Sequence, residues 1–407
     1  MRFPTRSGRC SAALLSVLFT FGALFTACAT DPVIDKNDLF RAGDNGFPLY
    51  RIPGMVVTTK GSVLVYCEAR TDARSDWGEI QVHLRRSADG GNSWEASRQV
   101  AHFGERIPGN PHKPVGGNRE QTVNNPIAIV DVKTNAIHFL YCINYARCFY
   151  MKSDDDGVTF SSPVEITQAF EAFREKCDWK VLATGPGHGI QLRNGRLVVP
   201  VWLAYGKTGD HSPSMSGTIY SDDHGISWHS GEIALPCTRD WKNPNETAAV
   251  ELSDGRVMLN ARTNSAVNRR LISISPNGAT HWSAPLFDFA LFDPKCMGSL
   301  IRVPSENPRG RLLFCNPHNL KYDANGQEIP RGHAGRKNLS LQISDDDGQT
   351  WSLPKTVEEA TSAYSDLAVL PDGTTLCFYE RKTSLTIARL SPQWMNAPIP
   401  QAPKKEN

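Results

Sequence analysis

Eight residues that could bind an anion or transfer a proton lie just beyond predicted apolar strands, in segments far apart along the chain. Guanidinium groups bind anions in a fixed fork geometry, whereas carboxyl and phenol groups can carry protons. These residues could form one site only if the ends of several strands met around a common axis. The eight are Arg51, Arg70, Asp76, Glu246, Arg262, Arg336, Tyr364 and Glu380.

Other kinds of catalytic chemistry find no support in the sequence. It contains no HExxH motif for zinc, no GxSxG motif for a serine nucleophile and no GxxxxGKS or GxxxxGKT phosphate loop. None of the ten cysteines forms a CxxC pair, and the eight that follow residue 28 are more typical of isolated buried thiols than of a disulfide framework. We therefore predict neither a metal nor a cofactor.

The charge balance excludes one class of partner. The 407 residues carry a net charge of +2, and without Arg2, Arg6 and Arg9 they hold 41 basic and 42 acidic residues. No block of Lys or Arg occurs after the N-terminal segment, so the sequence predicts no nucleic-acid binding. A hydrophobic content of 40% with 32 glycines is that of an ordinary globular protein.

One eight-residue pattern recurs, in which Ser, Asp, Gly, a Ser or Thr, and an aromatic residue keep fixed positions. The Ser and Asp side chains can hold turn amides and the Gly supplies a positive φ, so each copy predicts a β-hairpin. Calcium binding is a weaker interpretation, because Lys152 and Ile343 stand where a calcium loop needs an acid. Four good copies lie at 87–94, 153–160, 221–228 and 344–351, and a degraded copy lies at 275–282.

The segments between these turns read as strands, and 165–176 is the longest stretch with a helical period. Copies spaced about 60 residues apart divide about 350 residues into about six units. Radially repeated four-stranded sheets leave no long exposed edge. We therefore predict an all-β fold, a six-bladed β-propeller with Asp-box hairpins. The predicted strands are 61–68, 80–86, 137–143, 196–202, 256–261, 311–315, 339–343 and 375–379.

The chain resembles the exo-α-sialidases of bacteria and animals, which are six-bladed propellers with Asp boxes. The resemblance covers residues 40 to about 390 and combines the Asp boxes with four short motifs in a fixed order. These motifs are RIP at 51–53, GPGHGIQL at 185–192, YSDL at 364–367 and YER at 379–381.

The resemblance implies a substrate, terminal sialic acid, which carries a carboxylate on its anomeric carbon. Arg51, Arg262 and Arg336, together the arginine clamp, would grip that carboxylate through bidentate bonds that lysine cannot reproduce. Glu380 would orient Arg51, and Arg70 would contact the substituents of the sugar ring.

The resemblance also implies a tyrosine nucleophile. Tyr364, activated by Glu246, would attack the anomeric carbon, because the substrate carboxylate would repel an anionic nucleophile. Asp76 would act first as general acid and then as base. The glycosidic bond would be hydrolysed with retention, through a tyrosyl-glycoside.

Several positions have rivals. Arg331 could take the place of Arg336, and Asp72 competes with Asp76 in the same loop. His188, between glycines, resembles a metal ligand or a base, but we interpret it as structural. Asn125 falls where related enzymes line the pocket for the acetamido group, some with Asp, and we count it among the substrate-binding residues.

Three functions are compatible with this sequence. The first is an exo-α-sialidase acting on sialylated glycoproteins, gangliosides or oligosaccharides. The second is a trans-sialidase or a hydrolase of a related nonulosonic acid. The third is a catalytically silent propeller that binds glycans, although such a protein would normally lack part of the clamp or of the nucleophile pair.

The N-terminal segment predicts export. Three arginines precede an apolar run, so residues 1–27 read as an export signal, and FTAC at 25–28 resembles a lipobox with Cys28 as a possible lipid anchor. We expect a linker at 28–39, the propeller at 40–392 and a flexible tail at 393–407. The expected product is a monomer in the periplasm, on the outer membrane or outside the cell.

Overall fold

The computed structural model describes Met1 and residues 34–73, 75–101, 121–207, 209–305, 307–330 and 335–398. Contacts divide the chain into two units, Met1–Asp31 and Pro32–Asn407, and the strands of the described residues belong to the second unit. Residues 2–27 of the predicted export signal, Cys28 and Arg331 lie outside the described residues. No helix in the described part of the chain is long and apolar enough to cross a membrane.

Strands account for nearly all of the regular structure. In chain order they are β1 (Ile34–Arg41), β2 (Leu49–Val57), β3 (Val63–Arg70), β4 (Ile80–Ser87), β5 (Arg98–Gln99), β6 (Val123–Val130), β7 (Ile137–Ile143), β8 (Arg147–Ser153), β9 (Val164–Glu165), β10 (Val181–Thr184), β11 (Gly187–His188), β12 (Ile190–Gln191), β13 (Leu197–Ala204), β14 (Ser214–Ser221), β15 (His229–Leu235), β16 (Thr247–Glu251), β17 (Val257–Ala261), β18 (Arg269–Ser275), β19 (Leu286–Phe292), β20 (Ser299–Val303), β21 (Arg311–Pro317), β22 (Lys337–Ser344), β23 (Lys355–Val369), β24 (Thr375–Arg381) and β25 (Ser384–Leu390). The other described elements are 3₁₀ segments at Asp44–Gly46 and Thr167–Glu175 and a short helix, α1, at Pro392–Asn396.

Within the described residues, these strands pair into five sheets. Sheet 1 has the order β2-β3-β4-β5, sheet 2 β11-β6-β7-β8-β9, sheet 3 β10-β13-β14-β15 with β12 also on β13, and sheet 4 β16-β17-β18-β19. A seven-stranded sheet has the order β1-β25-β24-β23-β22-β21-β20. Neighbours such as β2 and β3 are antiparallel, whereas β11 lies parallel to β6.

The long strand β23 belongs to two ladders. Its first half pairs with β22, from Lys355 to Thr361, and its second half pairs with β24, from Ser362 to Val369. At the far edge of this sheet, β1 pairs with β25. The first described strand therefore closes on the last one.

Apolar side chains fill the space between consecutive sheets. Tyr66 of sheet 1 packs edge-on against Phe139 of sheet 2, with ring centroids 5.1 Å apart. Phe378 and Leu385 of the seven-stranded sheet share a cluster with Val63 of sheet 1, so the ring of sheets is closed. Sheets that pack face to face in a closed ring form a β-propeller, and the predicted all-β propeller class is confirmed.

The Asp boxes are the hairpins that the sequence predicts. In the last copy, the Ser344 hydroxyl oxygen accepts a hydrogen bond from the Gly348 amide at 2.8 Å, and Asp346 accepts the amide and hydroxyl of Thr350 at 2.8 and 2.6 Å. The degraded copy has Asn277 in place of the Asp, and this side chain still accepts the amide of its Thr at 2.9 Å. The five copies join β4 to β5, β8 to β9, β14 to β15, β18 to β19 and β22 to β23.

The predicted strands correspond to β3, β4, β7, β13, β17, β21, β22 and β24, and the stretch 165–176 contains a 3₁₀ segment. Two predicted boundaries are wrong. The predicted linker reaches residue 39, but β1 begins at Ile34, because its backbone pairs with β25. The predicted tail starts at residue 393, but α1 continues to Asn396, because Trp394 and Met395 are buried against the seven-stranded sheet.

Candidate active site

The predicted site residues gather where several strands begin or end on one side of the propeller. Leu49 at the start of β2 pairs with Arg70 at the end of β3, and Thr247 at the start of β16 pairs with Ala261 at the end of β17. Antiparallel pairing therefore brings residues before and after a hairpin to the same edge. Arg51 lies in β2, Asp76 between β3 and β4, Asn125 in β6, Glu246 before β16, Arg262 after β17, Arg336 before β22, Tyr364 in β23 and Glu380 in β24.

Tyr364, Glu246 and Arg262 form a tight hydrogen-bonded group. The Tyr364 hydroxyl donates to Oε1 of Glu246. Nη1 of Arg262 donates to Oε2 of Glu246 at 2.5 Å and to the Tyr364 oxygen at 2.7 Å. The tyrosine and the glutamate are 118 positions apart, so the propeller alone brings them together.

Burial and charge set the protonation of this group. Burial raises the pKa of Tyr364 above its ordinary value, although Arg262 opposes the rise. Burial would also raise the pKa of Glu246, but Arg262 and the Tyr364 hydroxyl hold it below its usual value. The phenol is therefore neutral, and beside it lies an ionised carboxylate that can accept its proton.

Glu380 fixes Arg51 and the backbone around it. Its carboxylate accepts Nε of Arg51 at 3.1 Å and Nη2 at 3.3 Å. It also accepts the amide of Ile52 at 3.0 Å and that of Tyr364 at 3.4 Å. Ile52 has a φ of 60°, a left-handed conformation that a β-branched residue rarely adopts. The carboxylate thus holds a strained turn in the shape that directs Arg51 into the site.

The arginine clamp surrounds Tyr364. The guanidinium carbons of Arg51 and Arg336 lie 5.0 and 5.1 Å from the centre of its ring, and Arg262 contacts its hydroxyl. Nε of Arg262 and Nε of Arg336 are buried and have no hydrogen-bond partner among the described residues. Three guanidinium groups around one phenol favour an incoming anion with several acceptor oxygens.

Arg70 and Asp76 lie beside the clamp. Nη1 of Arg70 donates to Oδ1 of Asp76 at 2.7 Å, and Nη1 of Arg51 is 3.6 Å from the same oxygen. Burial would raise the pKa of Asp76, but Arg70 and Arg51 together hold it below its ordinary value. The side chain of Asp76 is 47% exposed, so it faces the space in front of the clamp.

Two other buried carboxylates are not among the residues predicted from the sequence, and one of them, Glu68, supports the site. Glu68 is fully buried and accepts Nε and Nη2 of Arg70 at 2.9 and 2.6 Å. Asp366 is buried and accepts Nδ1 of His188 at 2.7 Å and the amide of Met55 at 2.8 Å, a structural contact for that histidine. Glu68 could have been found, because residues two apart in a strand face the same side.

Asn125 lies next to this group, but its side chain is engaged within the protein. Its amide nitrogen Nδ2 donates to the carbonyl of Thr184 at 3.1 Å, and its oxygen accepts Nδ2 of Asn124 at 2.9 Å. Its backbone N–H donates to Glu68 at 2.9 Å. The structure thus connects Asn125 to Arg70 through Glu68, and its contact with a ligand stays a prediction.

A cluster of buried aromatic side chains begins at Trp77, directly after Asp76, and no sequence pattern predicts it. Trp77 lies with its ring centre 4.7 Å from that of Tyr145, and Tyr145 is 6.1 Å from Trp202. These rings share one cluster with strands β10 and β13. Rings from three separate segments could be placed together only by the folded chain.

The charged cluster is separate from a cavity of about 1180 Å³ at the other ends of the inner strands. That cavity is lined by Val57, Val130, Val303 and Val369 among others, and the clamp residues are not part of its lining. The charged cluster, where donors and acceptors converge, is therefore the candidate active site. No group of three or more His, Cys, Asp or Glu within the described ranges is placed to hold a metal.

Comparisons with known proteins agree with the geometry. The profile of the BNR repeat-like domain matches residues 61–377. The chain is 29% identical to a sialidase of Micromonospora viridifaciens over 391 residues, 90% of this chain, and 31% identical to a sialidase of Bacteroides fragilis over 366 residues, 83% of this chain. It spans only 55% and 61% of the lengths of these two relatives.

A solved structure is similar as well. The Hadza microbial sialidase Hz136 superimposes with a TM-score of 0.70 at 26% identity, over 88% of this chain and 68% of that one.

Proposed function

The chain belongs to the exo-α-sialidase family with BNR (Asp-box) repeats, and we propose that it hydrolyses terminal sialic acid from glycoconjugates with retention, through a tyrosyl-glycoside. The observation that carries this proposal is the contact of Tyr364 with Glu246 inside a ring of arginines. A buried phenol that donates a hydrogen bond to an ionised carboxylate can lose its proton to that carboxylate and act as a nucleophile.

The arginine clamp selects the substrate. Sialic acid carries its carboxylate on the carbon that reacts, so an anion gripped by Arg51, Arg262 and Arg336 places that carbon close to Tyr364. Glu380 keeps Arg51 in place and offsets part of the positive charge before substrate arrives.

In the first half-reaction, the phenol oxygen of Tyr364 bonds to the anomeric carbon while the bond from this carbon to the glycosidic oxygen breaks. The phenol proton passes to Glu246. Asp76, in its acid form, gives a proton to the leaving oxygen. The products are the tyrosyl-glycoside and the free alcohol of the aglycone.

In the second half-reaction, water attacks the anomeric carbon and the bond to Tyr364 breaks. Asp76, now a carboxylate, takes a proton from the water, and Glu246 returns its proton to the phenol oxygen. Two inversions at one carbon give net retention.

Asp76 must become protonated to act as an acid, although Arg70 and Arg51 hold it ionised in the free protein by lowering its pKa. The substrate carboxylate would neutralise the pull of Arg51, and the bound sugar would displace water from the half-exposed Asp76. Both changes raise the pKa of a carboxyl group. Substrate binding would thus favour the protonated form of Asp76 that the reaction needs.

A fluorogenic sialoside tests the proposal. The purified protein should release the fluorophore without added metal, and proton NMR at early times should detect the retained anomer first. An assay with galactose present separates hydrolysis from transfer, because a transferase would form a sialyl-galactose. Absence of both products would leave the silent, glycan-binding alternative.

A fluorinated sialoside tests the nucleophile. Mass spectrometry of the trapped protein should find the label on Tyr364. A label on Glu246 or Asp76 would replace this mechanism with attack by a carboxylate.

We also propose that the propeller has six blades. The two ladders of β23 would divide the seven-stranded sheet into β20–β23 and β23–β25 with β1, two units of four strands. Together with sheets 1 to 4, these would make six. Five of the six blades would then contain one Asp box each, and the blade closed by β1 would contain none. An experimental density map that resolves another number of blades would refute this division.

Export of the protein is a separate proposal. The predicted signal at 1–27 and the lipobox with Cys28 would bring the protein to glycoconjugates outside the cytoplasm. The intact mass of the mature protein distinguishes a free N-terminus from a diacylated Cys28. An unprocessed Met1 on the mature protein would contradict export by this route.

A further inference from the structure

We propose that Asp293, together with Arg270, positions two members of the arginine clamp, Arg262 and Arg336. This inference rests on the proposed function, because it explains how the clamp of that site keeps its shape. Asp293 lies between β19 and β20 and is buried, and Arg270 in β18 is fully buried. Asp293 contacts backbone groups next to the clamp, so it is a positioning residue and not a catalytic one.

The first link runs from Asp293 to Arg262. Oδ2 of Asp293 accepts the backbone amide of Thr263 at 2.6 Å. Thr263 follows Arg262 directly, and the Arg262 guanidinium must reach both Tyr364 and Glu246. The hydrogen bond from the Thr263 amide therefore fixes the backbone from which the Arg262 side chain extends.

The second link runs from Asp293 to Arg336. Oδ1 of Asp293 accepts the amide of Lys295 at 3.0 Å and that of Cys296 at 3.4 Å. Lys295 has a φ of 56°, in the left-handed region that a residue with a side chain disfavours. The carbonyl of this held turn accepts Nη2 of Arg336 at 2.6 Å. The Asp293 carboxylate thus fixes the backbone next to Arg262 and also the carbonyl group that orients Arg336.

Arg270 completes the pair. Its Nη1 lies 3.7 Å from Oδ1 of Asp293 and donates to the Cys296 carbonyl at 2.9 Å. Its Nε donates to Oδ1 of Asn260 at 2.6 Å. A buried carboxylate needs a positive neighbour, and Arg270 supplies it while holding the same turn from the other side.

The test is Asp293→Asn, which keeps the size of the side chain but removes its charge and one acceptor. We expect KM for a fluorogenic sialoside to rise about tenfold or more, with a smaller change in kcat, because the clamp is misplaced while Tyr364 keeps its own contact with Glu246. The dissociation constant of a 2,3-unsaturated sialic acid, which keeps the carboxylate and is not hydrolysed, should rise equally. The double variant with Arg336→Ala should lose less than the product of the single losses, because the coupling partner is gone.

Asp131→Asn is the matched control. Asp131 is equally buried and accepts the amides of Lys133 and Thr134, but it follows β6 at the end away from the clamp. Its KM should equal that of the wild type. Asp293→Glu keeps the charge beside Arg270 and displaces the three amides, so it should raise KM even if the Asn variant fails to fold.

The outcomes separate the two proposals. Wild-type protein that neither cleaves a sialoside nor binds the unsaturated sugar would refute the proposed function. Active wild type with wild-type KM and binding in a folded Asp293 variant would overturn the positioning inference alone. Independent, fully multiplicative effects of Asp293→Asn and Arg336→Ala would do the same.

Discussion

The Asp-box turns and the charged site use the same residue types in opposite ways. In each of the four good copies an aspartate accepts the amide and hydroxyl of a residue four positions later, as Asp346 does from Thr350. In the site, Arg51 and Glu380 are 329 positions apart and Tyr364 and Glu246 are 118 positions apart. Hydrogen bonds within a turn form a hairpin that recurs along the chain, whereas hydrogen bonds between distant segments form a site that occurs once.

The difference teaches where each kind of charge has its effect. The Asp-box carboxylates are near the surface and satisfied by their own turn, so they contribute to stability. In the site, Arg262 holds the pKa of Glu246 below its usual value, and the strained Ile52 lies next to Arg51. Variants in the two regions should therefore separate stability from activity.

The largest effect is expected at the nucleophile. Tyr364→Phe removes one oxygen and should lower kcat by about 10³-fold or more, because no other group at that place can attack. Thermal unfolding should change little. The control is Tyr66→Phe, another buried tyrosine, whose hydroxyl donates to the Gly187 carbonyl at 2.7 Å. That variant should lose stability and keep kcat, and equal losses of kcat in both would contradict the assignment.

The next effect is expected in substrate capture. Arg51→Lys replaces a fork with a point charge and should lower kcat/KM by about 10²-fold, mainly through KM. Arg311→Lys makes the same change in an exposed ion pair with Asp345 and should leave kcat/KM unaltered. Steady-state kinetics decides, and an unchanged kcat/KM for Arg51→Lys would remove this residue from the clamp.

A smaller effect is expected in the pH profiles. The pKa of Asp76 is below its ordinary value in the free protein, so the acid form is present only at low pH and is lost as the pH rises. The fall of kcat/KM with rising pH should therefore begin at a lower pH than the fall of kcat, which reports the bound state. Coincident profiles would mean that substrate binding does not shift Asp76.

The smallest effect is expected in an Asp box. Asp346→Ala removes three hydrogen bonds of an exposed turn and should lower the free energy of unfolding by about 1 kcal/mol, with kcat/KM unchanged. Partial burial raises the pKa of Asp346, but hydrogen bonds such as those from Thr350 together lower it more, so the pKa lies below its usual value. The stability that this carboxylate contributes is therefore present at neutral pH and is lost as the pH falls below about 4. Asp345→Ala, which breaks a surface ion pair, should cost less. Denaturant unfolding at pH 7 and pH 3 measures both variants.

Much of the candidate site is accessible from the sequence, but its supporting residues are not. Arg51, Tyr364 and Glu246 stand in recognisable motifs or at strand ends. Asp293 and Arg270 carry no such signal, because a buried Asp and a buried Arg look like surface residues until their backbone partners are known. The strained φ of Ile52 is likewise invisible in a sequence, since the carboxylate that binds its amide, Glu380, is 328 positions away.

The sequence by itself determined the propeller class and its repeating turns, because an Asp-box hairpin closes through bonds within eight residues. It also determined which residue types were available for chemistry. Only the tertiary structure decided that β1 closes on β25, that Glu246 meets Tyr364, and that Glu380 holds Arg51. The physical reason is separation: contacts between distant strands depend on how sheets pack around the axis, and no local pattern encodes that packing.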